Sequence, residues 1–161
     1  VLRLHILANS DSGEDQQLKL KVRDAVVREA AGKYLGGHDR IHLIDPLSAD
    51  EMHNLMARAY LVMTDSGGLQ EEAPALGRPV LVLRRETERP EAVEAGTVKI
   101  AGTEENVIFS MASELLTAPA AYTAMAHAVN PYGDGFACRR IADAIEWKFG
   151  LRAEQPEEFR A

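Results

Sequence analysis

A strand, a glycine turn and the start of a helix follow one another near the middle of the chain. Residues 59–63 form an apolar run shortly before Ser66-Gly67-Gly68, and a helix-forming stretch rich in Glu, Ala and Leu comes next. The N-terminus of such a helix leaves backbone N–H groups unpaired, and the helix dipole favours negative charge there. Glycine also lets a phosphate approach the backbone, where a Cβ would block it. Together with the polar loop at residues 84–91, the segment predicts a site for a phosphorylated ligand.

Apolar runs alternate with helical patterns along the chain, which predicts an α/β fold with a mostly parallel sheet and helices on both faces. Residues 80–83 read Val-Leu-Val-Leu, a continuous run typical of a strand covered on both faces. Strands are predicted at residues 2–8, 41–44, 60–64, 80–83 and 98–100. Helices are predicted at residues 14–34, 48–58, 69–76, 104–116, 119–127 and 135–149. Because ligands of such sheets bind beyond the carboxyl ends of the strands, both loops of the phosphate site are expected at one edge.

Local signals predict where several helices begin and end. Ser48 is followed three residues later by Glu51, which predicts a capping box at the start of a helix. The helix predicted at residues 14–34 is expected to end at the glycine pair Gly36-Gly37. Asp134 is expected to be the N-cap of the last helix rather than a catalytic residue.

The composition is that of an ordinary globular protein. The 161 residues carry a formal net charge of −7, which argues against a surface for nucleic acid or anionic lipid. No run approaches the roughly 20 apolar residues of a membrane span, and no signal peptide is visible. The single cysteine, Cys138, fits a reducing cytoplasm and is expected to be a buried, inert thiol. Because the chain starts at Val1 rather than Met, a preceding segment stays open.

The usual catalytic and metal-binding patterns are missing. No Ser/His/Asp or Cys/His set emerges, and no Walker-type lysine follows the glycines. For His53 an approach to a ligand cleft stays open, but a surface or core role is expected. Neither a metal nor a cofactor is predicted, because no metal-ligand spacing with Cys, Asp or Glu is found for the histidines, which are His5, His38, His42, His53 and His127.

Each candidate residue also has an ordinary structural interpretation. The glycine turn taken alone is compatible with a tight turn that binds nothing. Glu71 is expected to be a solvated helix carboxylate. Arg89 has charged neighbours, Glu88 and Glu91, with which it could simply pair.

Four segments carry a close resemblance to a known family. They read MTDSGGLQEEAP at residues 63–74, GRPVLVLR at 77–84, TERPEAVEAGT at 87–97 and NPYGDG at 130–135. From about residue 41 to 145 the chain resembles the C-terminal part of non-hydrolysing UDP-N-acetylglucosamine 2-epimerases. The resemblance implies two Rossmann-like domains of GT-B type that face a cleft, with this region as most of the second. It also implies a cytoplasmic isomerase of cell-envelope polysaccharide biosynthesis that interconverts UDP-N-acetylglucosamine and UDP-N-acetylmannosamine.

The same resemblance implies which residues bind UDP or the UDP-sugar. They are Met52, Ser66, Gly67, Gly68, Glu72 and Arg89. The glycine turn would bind the diphosphate, Glu72 the ribose hydroxyls, and Arg89 the phosphate or sugar side. Glu72 lies four residues after Gly68, hence on the same helix face. Met52 replaces an aromatic that stacks on uracil, and a thioether stacks less well. The catalytic acids and bases belong to parts of the family that are absent from this chain, so no catalytic residue is predicted.

The first 35 residues do not look like the epimerases. Residues 2–12 and 15–26 resemble the beginning of stage II sporulation protein R, a family of exported signalling proteins. The predicted division of the chain is a strand–helix segment at 1–37, the epimerase-like domain at 38–150 and a polar tail at 151–161.

Three functions therefore stay open for the whole chain. They are an epimerase portion that is inactive alone, a non-catalytic UDP-binding or orphan fusion domain, and a sporulation signalling protein. The expected protein partner is either the family's first domain or a second copy of this chain, because apolar surface on the last helix favours association.

Overall fold

The computed structural model describes most of the chain, namely residues 29–159 together with Gln17, Lys21, Val22 and Ala25. The chain forms two compact units, Val1–Leu47 and Ser48–Ala161, and each is described by itself. The strand predicted at residues 2–8 lies outside the described residues. The predicted division at residues 37 and 150 rests on which family each segment resembles. The compact units do not test that division, so it stays a prediction.

The helix of the first unit ends at the glycine pair, as predicted. Residues 29–35 are helical, and Gly36 donates its N–H to the carbonyl of Gly32 at 2.9 Å. Gly37 then adopts a φ of +79°, a conformation that glycine reaches without the steric cost of a Cβ. The glycine pair that predicted the end of the helix lies at that end, so the predicted and observed ends agree.

The strand predicted at residues 41–44 is wrong. The segment contains no strand, and Ile41 donates its N–H to the carbonyl of His38 at 3.0 Å within a turn. Leu43 and Ile44 are exposed. An apolar run supplies β propensity, but a strand also needs a hydrogen-bonded neighbour. No described residue pairs with this run.

The second unit is a three-stranded sheet with helices packed around it. Its helices are α1 (Ala49–Arg58), α2 (Gly67–Ala75), α3 (Pro90–Glu94), α4 (Glu105–Thr117), α5 (Pro119–Ala126) and α6 (Ala137–Lys148). Its strands are β1 (Val62–Thr64), β2 (Val80–Val82) and β3 (Val98–Ile100). The strand order is β1-β2-β3, and both pairings are parallel, with Val62 opposite Val80 and Val80 opposite Val98. Among the described helices, none has the length and apolar character required to cross a membrane.

The side chains of β2 alternate between two hydrophobic clusters, one on each face of the sheet. Val80 and Val82 lie in the first cluster, where α1, α2 and α3 contribute side chains. Leu81 lies in the second cluster with Leu115 of α4 and Met125 of α5. All of β2 is buried, as its uninterrupted apolar run predicted. The α/β prediction, with a parallel sheet and helices on both faces, is therefore confirmed.

The last helix, α6, has an apolar face that is not covered. No residue of α6 is buried, and Ile141 and Ile145 are more than half exposed. Cys138 on the same helix is exposed, so the prediction of a buried thiol is wrong. The amphipathic pattern identified an apolar face correctly, but a pattern within one helix cannot identify which element covers that face.

Asp134 is not the N-cap of α6, contrary to the prediction. The helix begins at Ala137, with Phe136 as its N-cap. Asp134 instead accepts the N–H of Phe136 at 3.0 Å and two guanidinium hydrogen bonds from Arg140 at 2.7 and 2.6 Å. The Arg140 guanidinium, more than the Phe136 N–H, holds the pKa of this carboxyl well below its usual range. Asp134 thus fixes the turn before the helix rather than its first N–H groups.

The capping box at the start of α1 is confirmed. Ser48 accepts the N–H of Glu51 on its hydroxyl oxygen at 3.4 Å, and the Glu51 carboxylate accepts the N–H of Ser48 at 2.9 Å. The carboxylate also accepts the Ser48 hydroxyl at 2.7 Å. The backbone hydrogen bond from Ser48 is the main cause of a lowered pKa at Glu51. These bonds fix the first turn of the helix that carries Met52 and His53.

Replacing Ser48 by alanine tests this cap. Ser48→Ala removes the oxygen that accepts the N–H of Glu51, so we expect the free energy of unfolding to fall by about 1 kcal/mol in urea denaturation. Ser110→Ala, at an exposed position inside α4, is the matched control and should change it by less than about 0.5 kcal/mol. Equal values for the two variants would contradict the capping role.

Candidate functional site

The two predicted loops lie side by side at the carboxyl edge of the sheet. β1 ends at Thr64 and leads into α2, while β2 ends at Val82 and leads into the loop at residues 83–89. Leu83 donates its N–H to the carbonyl of Thr64 at 2.9 Å, which continues the parallel ladder past the strands. The parallel pairing therefore brings the glycine turn and the polar loop to the same edge, as the sequence predicted.

The glycine turn forms the first turn of α2 rather than a loop before it. The helix begins at Gly67, two residues earlier than predicted, with Ser66 as its N-cap. The Ser66 side chain makes no capping hydrogen bond, and the first turn contains no acidic residue. Ser66 donates its own N–H to the hydroxyl oxygen of Thr64 at 3.0 Å. The N–H groups of the first turn of α2 thus remain available to an anion.

Two carboxylates lie beside the glycines. A Cβ placed on Gly67 would be 3.5 Å from a carboxylate oxygen of Glu88, and one placed on Gly68 would be 3.7 Å from an oxygen of Glu72. Arg84 pairs with Glu88 at 3.0 Å. The pKa of Glu88 is lowered by a hydrogen bond from its own backbone N–H and, after that, by Arg84. The glycines therefore leave open space that is bordered by negative charge.

A chain of partly buried hydrogen bonds joins α2 to the polar loop. Gln70 is fully buried and donates from its amide to the carbonyl of Ser66 at 3.2 Å. The same amide accepts the Thr87 hydroxyl at 2.5 Å, and Thr87 accepts the N–H of Arg89 at 3.0 Å. Sequence reasoning missed Gln70 and Thr87. The available signal was Gln70, a polar residue with apolar neighbours in the predicted helix. A polar side chain that is buried at such a position requires hydrogen-bond partners inside the protein.

Arg89 forms an ion pair with Glu71 through its Nε. The expectation that Glu71 is a solvated carboxylate is therefore wrong. The carboxylates of Glu88 and Glu91, the partners suggested by the sequence, do not pair with Arg89. With Glu88 its guanidinium contacts only the backbone carbonyl, at 3.2 Å. The hydrogen bond to Glu71 is the main cause of a raised pKa at Arg89. The partners lie 18 positions apart, so no local rule of sequence could pair them.

Tyr132, in the NPYGDG segment, packs against the first hydrophobic cluster beside this ion pair. Its hydroxyl is buried and has no hydrogen-bond partner among the described residues. Burial raises the pKa of Tyr132 to about 12, and the negative charges of Glu91 and Glu71 act in the same direction. The tyrosine hydroxyl therefore stays protonated and can only act as a neutral donor or acceptor.

Glu72 contacts His53, which comes from α1. The imidazole Nε2 and a Glu72 carboxylate oxygen are 3.0 Å apart, and both side chains are about half exposed. The proximity of Glu72 to Gly68 confirms that the two share one helix face. His53 lies at the surface, which agrees with one of the expected roles, and its contact with Glu72 also brings it to the candidate site, the alternative that had stayed open.

Met52 occupies a different environment from its neighbour His53. It is half-buried and packs against the first hydrophobic cluster together with Val62 and Leu69. The structure therefore groups Ser66, Gly67, Gly68 and Glu72 at the N-terminal end of α2, and brings Arg89 next to them through its partner Glu71. No group of His, Cys, Asp and Glu among the described residues has an arrangement that could hold a metal ion.

Replacing Thr87 by valine tests the hydrogen-bonded chain. Thr87→Val keeps the shape of the side chain but removes its hydroxyl. The side-chain carbonyl oxygen of Gln70 and the N–H of Arg89 then lose the group to which each is hydrogen-bonded. We expect the free energy of unfolding to fall by about 1–3 kcal/mol, measured by urea denaturation. Thr123→Val, at an exposed position in α5, is the control and should change it by less than about 0.5 kcal/mol. A loss no larger than that of the control would show that the chain does not stabilise the loop.

Comparison with known proteins finds a match to one family model over most of the chain. The family model described as UDP-N-acetylglucosamine 2-epimerase matches residues 6–146. The UDP-N-acetylglucosamine 2-epimerase of Bacillus subtilis (strain 168) is 54% identical over 147 residues, which cover 91% of this chain and 39% of the relative. The enzyme of the same name from Escherichia coli (strain K12) is 51% identical over 120 residues, which cover 74% of this chain and 32% of the relative.

Solved structures show the same likeness. The S. aureus MnaA-UDP co-structure matches with a TM-score of 0.77 and 49% identity, covering 86% of this chain and 38% of that protein. UDP-GlcNAc 2-epimerase from Neisseria meningitidis, bound to UDP-GlcNAc, matches with a TM-score of 0.72 and 44% identity, covering 74% and 33%. The architecture is therefore GT-B-like, and the chain spans less than two fifths of the length of these relatives.

The family match also corrects the extent of the resemblance, which was expected to begin at about residue 41. It begins at residue 6, within the first 35 residues that were expected not to resemble the epimerases. All four motifs that carry the resemblance lie after residue 41, so they contain no information on the residues before it. The comparisons give no support to a sporulation protein at residues 1–35. The chain belongs to the UDP-N-acetylglucosamine 2-epimerase family.

Proposed function

We propose that this chain is the UDP-binding, C-terminal portion of an isomerase, a UDP-N-acetylglucosamine 2-epimerase. The observation that carries the proposal is the N-terminus of α2, where Gly67 and Gly68 present uncapped N–H groups at the carboxyl edge of a parallel sheet. A helix end of this kind favours a diphosphate. Relatives of the same architecture have been solved with UDP and with UDP-GlcNAc, which supports the same ligand class here.

The diphosphate would bind to the backbone of Ser66, Gly67 and Gly68. The Glu88 carboxylate lies near this position and would repel a phosphate, but its side chain is 57% exposed and can rotate into water. Arg84 would then exchange Glu88 for the phosphate. The glycines therefore provide the space, and the arginine provides the compensating charge.

The rest of UDP or of the UDP-sugar would extend from the helix end over α2 and α1. Glu72 would accept the ribose hydroxyls, since it lies one turn along the same face of α2. Met52 would pack on uracil through its thioether, although much of its surface already contacts the hydrophobic cluster. Arg89 would contact the phosphate or the sugar after exchanging its partner Glu71.

Alanine substitutions at the two glycines test the diphosphate site. The new methyl groups of Gly67→Ala and Gly68→Ala would lie 3.5 and 3.7 Å from their nearest neighbours, which is ordinary contact, so both variants should fold. Each methyl group would obstruct the approach of a phosphate to the backbone. We expect the dissociation constant for UDP to rise about tenfold or more, the scale of one hydrogen bond to a charged group, in an amide NMR titration.

Two controls separate obstruction from general damage. Gly32→Ala changes another helical glycine that has open space around it and should leave UDP affinity unchanged. Uridine, which lacks the diphosphate, should bind the two variants as it binds the original chain. Unchanged UDP affinity in both Gly67→Ala and Gly68→Ala would contradict the site.

Binding is separate from turnover in this proposal. The family reaction, as implied by the resemblance, eliminates UDP to give 2-acetamidoglucal and adds UDP back with inversion at C2. Proton transfer requires an acid or base within hydrogen-bond reach of the reacting atoms. The groups that would do this belong to parts of the family that this chain does not contain, so no catalytic residue is proposed.

We therefore expect no epimerase turnover from the pure 161-residue chain. A coupled assay for UDP-N-acetylmannosamine should give the background rate, while a full-length relative such as the B. subtilis enzyme serves as the positive control. Steady product formation by the pure chain, proportional to its concentration, would contradict the assignment of catalysis to the absent parts.

The exposed apolar face of α6 supports a protein partner. Ile141 and Ile145, four positions apart on this helix, are both exposed, and such a face is normally covered. The occupant would be the family's first domain or, without it, a second copy of this chain. The net charge of −7 supports the absence of a nucleic-acid partner. A cytoplasmic location in cell-envelope polysaccharide synthesis follows from the nucleotide-sugar substrate.

Two other functions are weaker than this one. A non-catalytic UDP-binding or orphan fusion domain would use the same site. Addition of the family's first domain distinguishes the two functions, because it should restore turnover only to an epimerase portion. A sporulation signalling role rests on the resemblance of residues 2–26 alone, and the epimerase match from residue 6 weighs against it.

A further inference from the structure

We propose that His53 is a positioning residue of the ribose subsite, holding the Glu72 carboxylate where it accepts the ribose hydroxyls. The imidazole donates a hydrogen bond from Nε2 to one carboxylate oxygen, at 3.0 Å. The inference rests on the proposed UDP site and adds a residue that none of the sequence motifs contains. It assigns to His53 part of the selectivity of the site for a nucleotide with free ribose hydroxyls, exerted through Glu72.

The two carboxylate oxygens of Glu72 are in different positions. One contacts His53, and the other lies 3.7 Å from the place of a Cβ on Gly68. The carboxylate thus extends between the imidazole and the glycine at the helix end. Each carboxylate oxygen can accept more than one hydrogen bond. A ribose lying over Gly68 would therefore find an acceptor whose direction is already set.

Both side chains are carried by helices with fixed positions. α1 is held by its capping box and by Met56, which is buried in the first hydrophobic cluster. α2 is held in the same cluster by Ala73, which is fully buried. The contact joins residues 19 positions apart, so it reports the packing of α1 on α2. A contact between two fixed elements restricts the carboxylate more than a contact within one flexible loop would.

Stability alone is a poor explanation for this pair. The contact is direct, but the two side chains are 49% and 46% exposed to solvent, and such exposed pairs add little to the free energy of folding. Their contact does restrict the rotamers of Glu72 before a ligand arrives, and restriction in the binding conformation lowers the entropy lost on binding. The consequence would therefore be seen in ribose recognition rather than in unfolding.

The test compares UDP with 2′,3′-dideoxyuridine 5′-diphosphate, which keeps the base and the diphosphate. The measured quantity is the ratio of the two dissociation constants, from amide NMR titrations of the whole chain. We expect the original chain to prefer UDP by about tenfold, the scale of a hydrogen bond to a charged group. In His53→Ala the ratio should fall to about two- to threefold, and in Glu72→Ala to about one.

Two further variants show whether the effect belongs to the donor at this position. His53→Gln retains an N–H that can reach the carboxylate, and it should restore the ratio to within about twofold of the original value. His127→Ala removes an exposed histidine from the end of α5 and should leave the ratio unchanged. Restoration by glutamine would not occur if His53 only filled space.

The outcomes separate this inference from the proposed function. If UDP binds with shifts at Ser66, Gly67 and Gly68, but His53→Ala weakens both ligands equally or neither, the role of His53 is overturned and the UDP site stands. If the original chain binds UDP at no concentration up to the solubility limit, the UDP site and the role of His53 are both overturned.

Discussion

The burial of β2 on both faces is the constraint on which the rest of the second unit depends. Val80 and Val82 contact one hydrophobic cluster and Leu81 the other, so this strand joins the two cores. Because β2 also pairs in parallel with both neighbours, its carboxyl end lies beside that of β1. A parallel arrangement places the segments that follow both strands at one edge. The position of the site at this edge is therefore a consequence of core packing and strand pairing.

The polar contacts then fix what the packing has brought together. Gln70 and Thr87 connect α2 with the loop after β2, and a buried amide of this kind would be costly without both partners. The chain continues to the backbone of Arg89, which holds the loop while leaving the guanidinium to Glu71. The loop backbone is thus fixed internally, whereas its charged side chains remain at the surface and can change partners.

Features set by neighbouring residues could be predicted from the sequence. The capping box at Ser48 involves residues three apart, and the buried strand at residues 80–83 was signalled by its own composition. The position of the glycine turn at the sheet edge followed from the order of strand and helix. In each case the physical cause lies within a few residues of the signal.

Features set by distant residues could not be predicted in this way. The strand expected at residues 41–44 needed a neighbour, and the burial expected for Cys138 needed a covering element. The partners of Arg89 and Glu72 are 18 and 19 positions away, so only the packing of α1, α2 and the loop selects them. The family motifs predicted Arg89 and Glu72 as binding residues but carried no information on which side chains contact them.

The candidate site holds its arginines in ion pairs, and an anion would have to displace a carboxylate to bind either of them. Arg84 is paired with Glu88, and Arg89 with Glu71, so neither arginine is available without giving up a carboxylate. The N–H groups at the start of α2 are not capped by the Ser66 side chain, although the Glu88 carboxylate lies beside them. A diphosphate would therefore contact the helix end first, and its charge would favour exchange of partners at the arginines. Each exchange would release a carboxylate beside the bound anion, so that carboxylate would have to rotate into water. The carboxylates concerned, Glu88 and Glu71, are both partly exposed. In the proposed site the helix end would therefore supply the fixed part of recognition, and the ion pairs would supply the part that adapts.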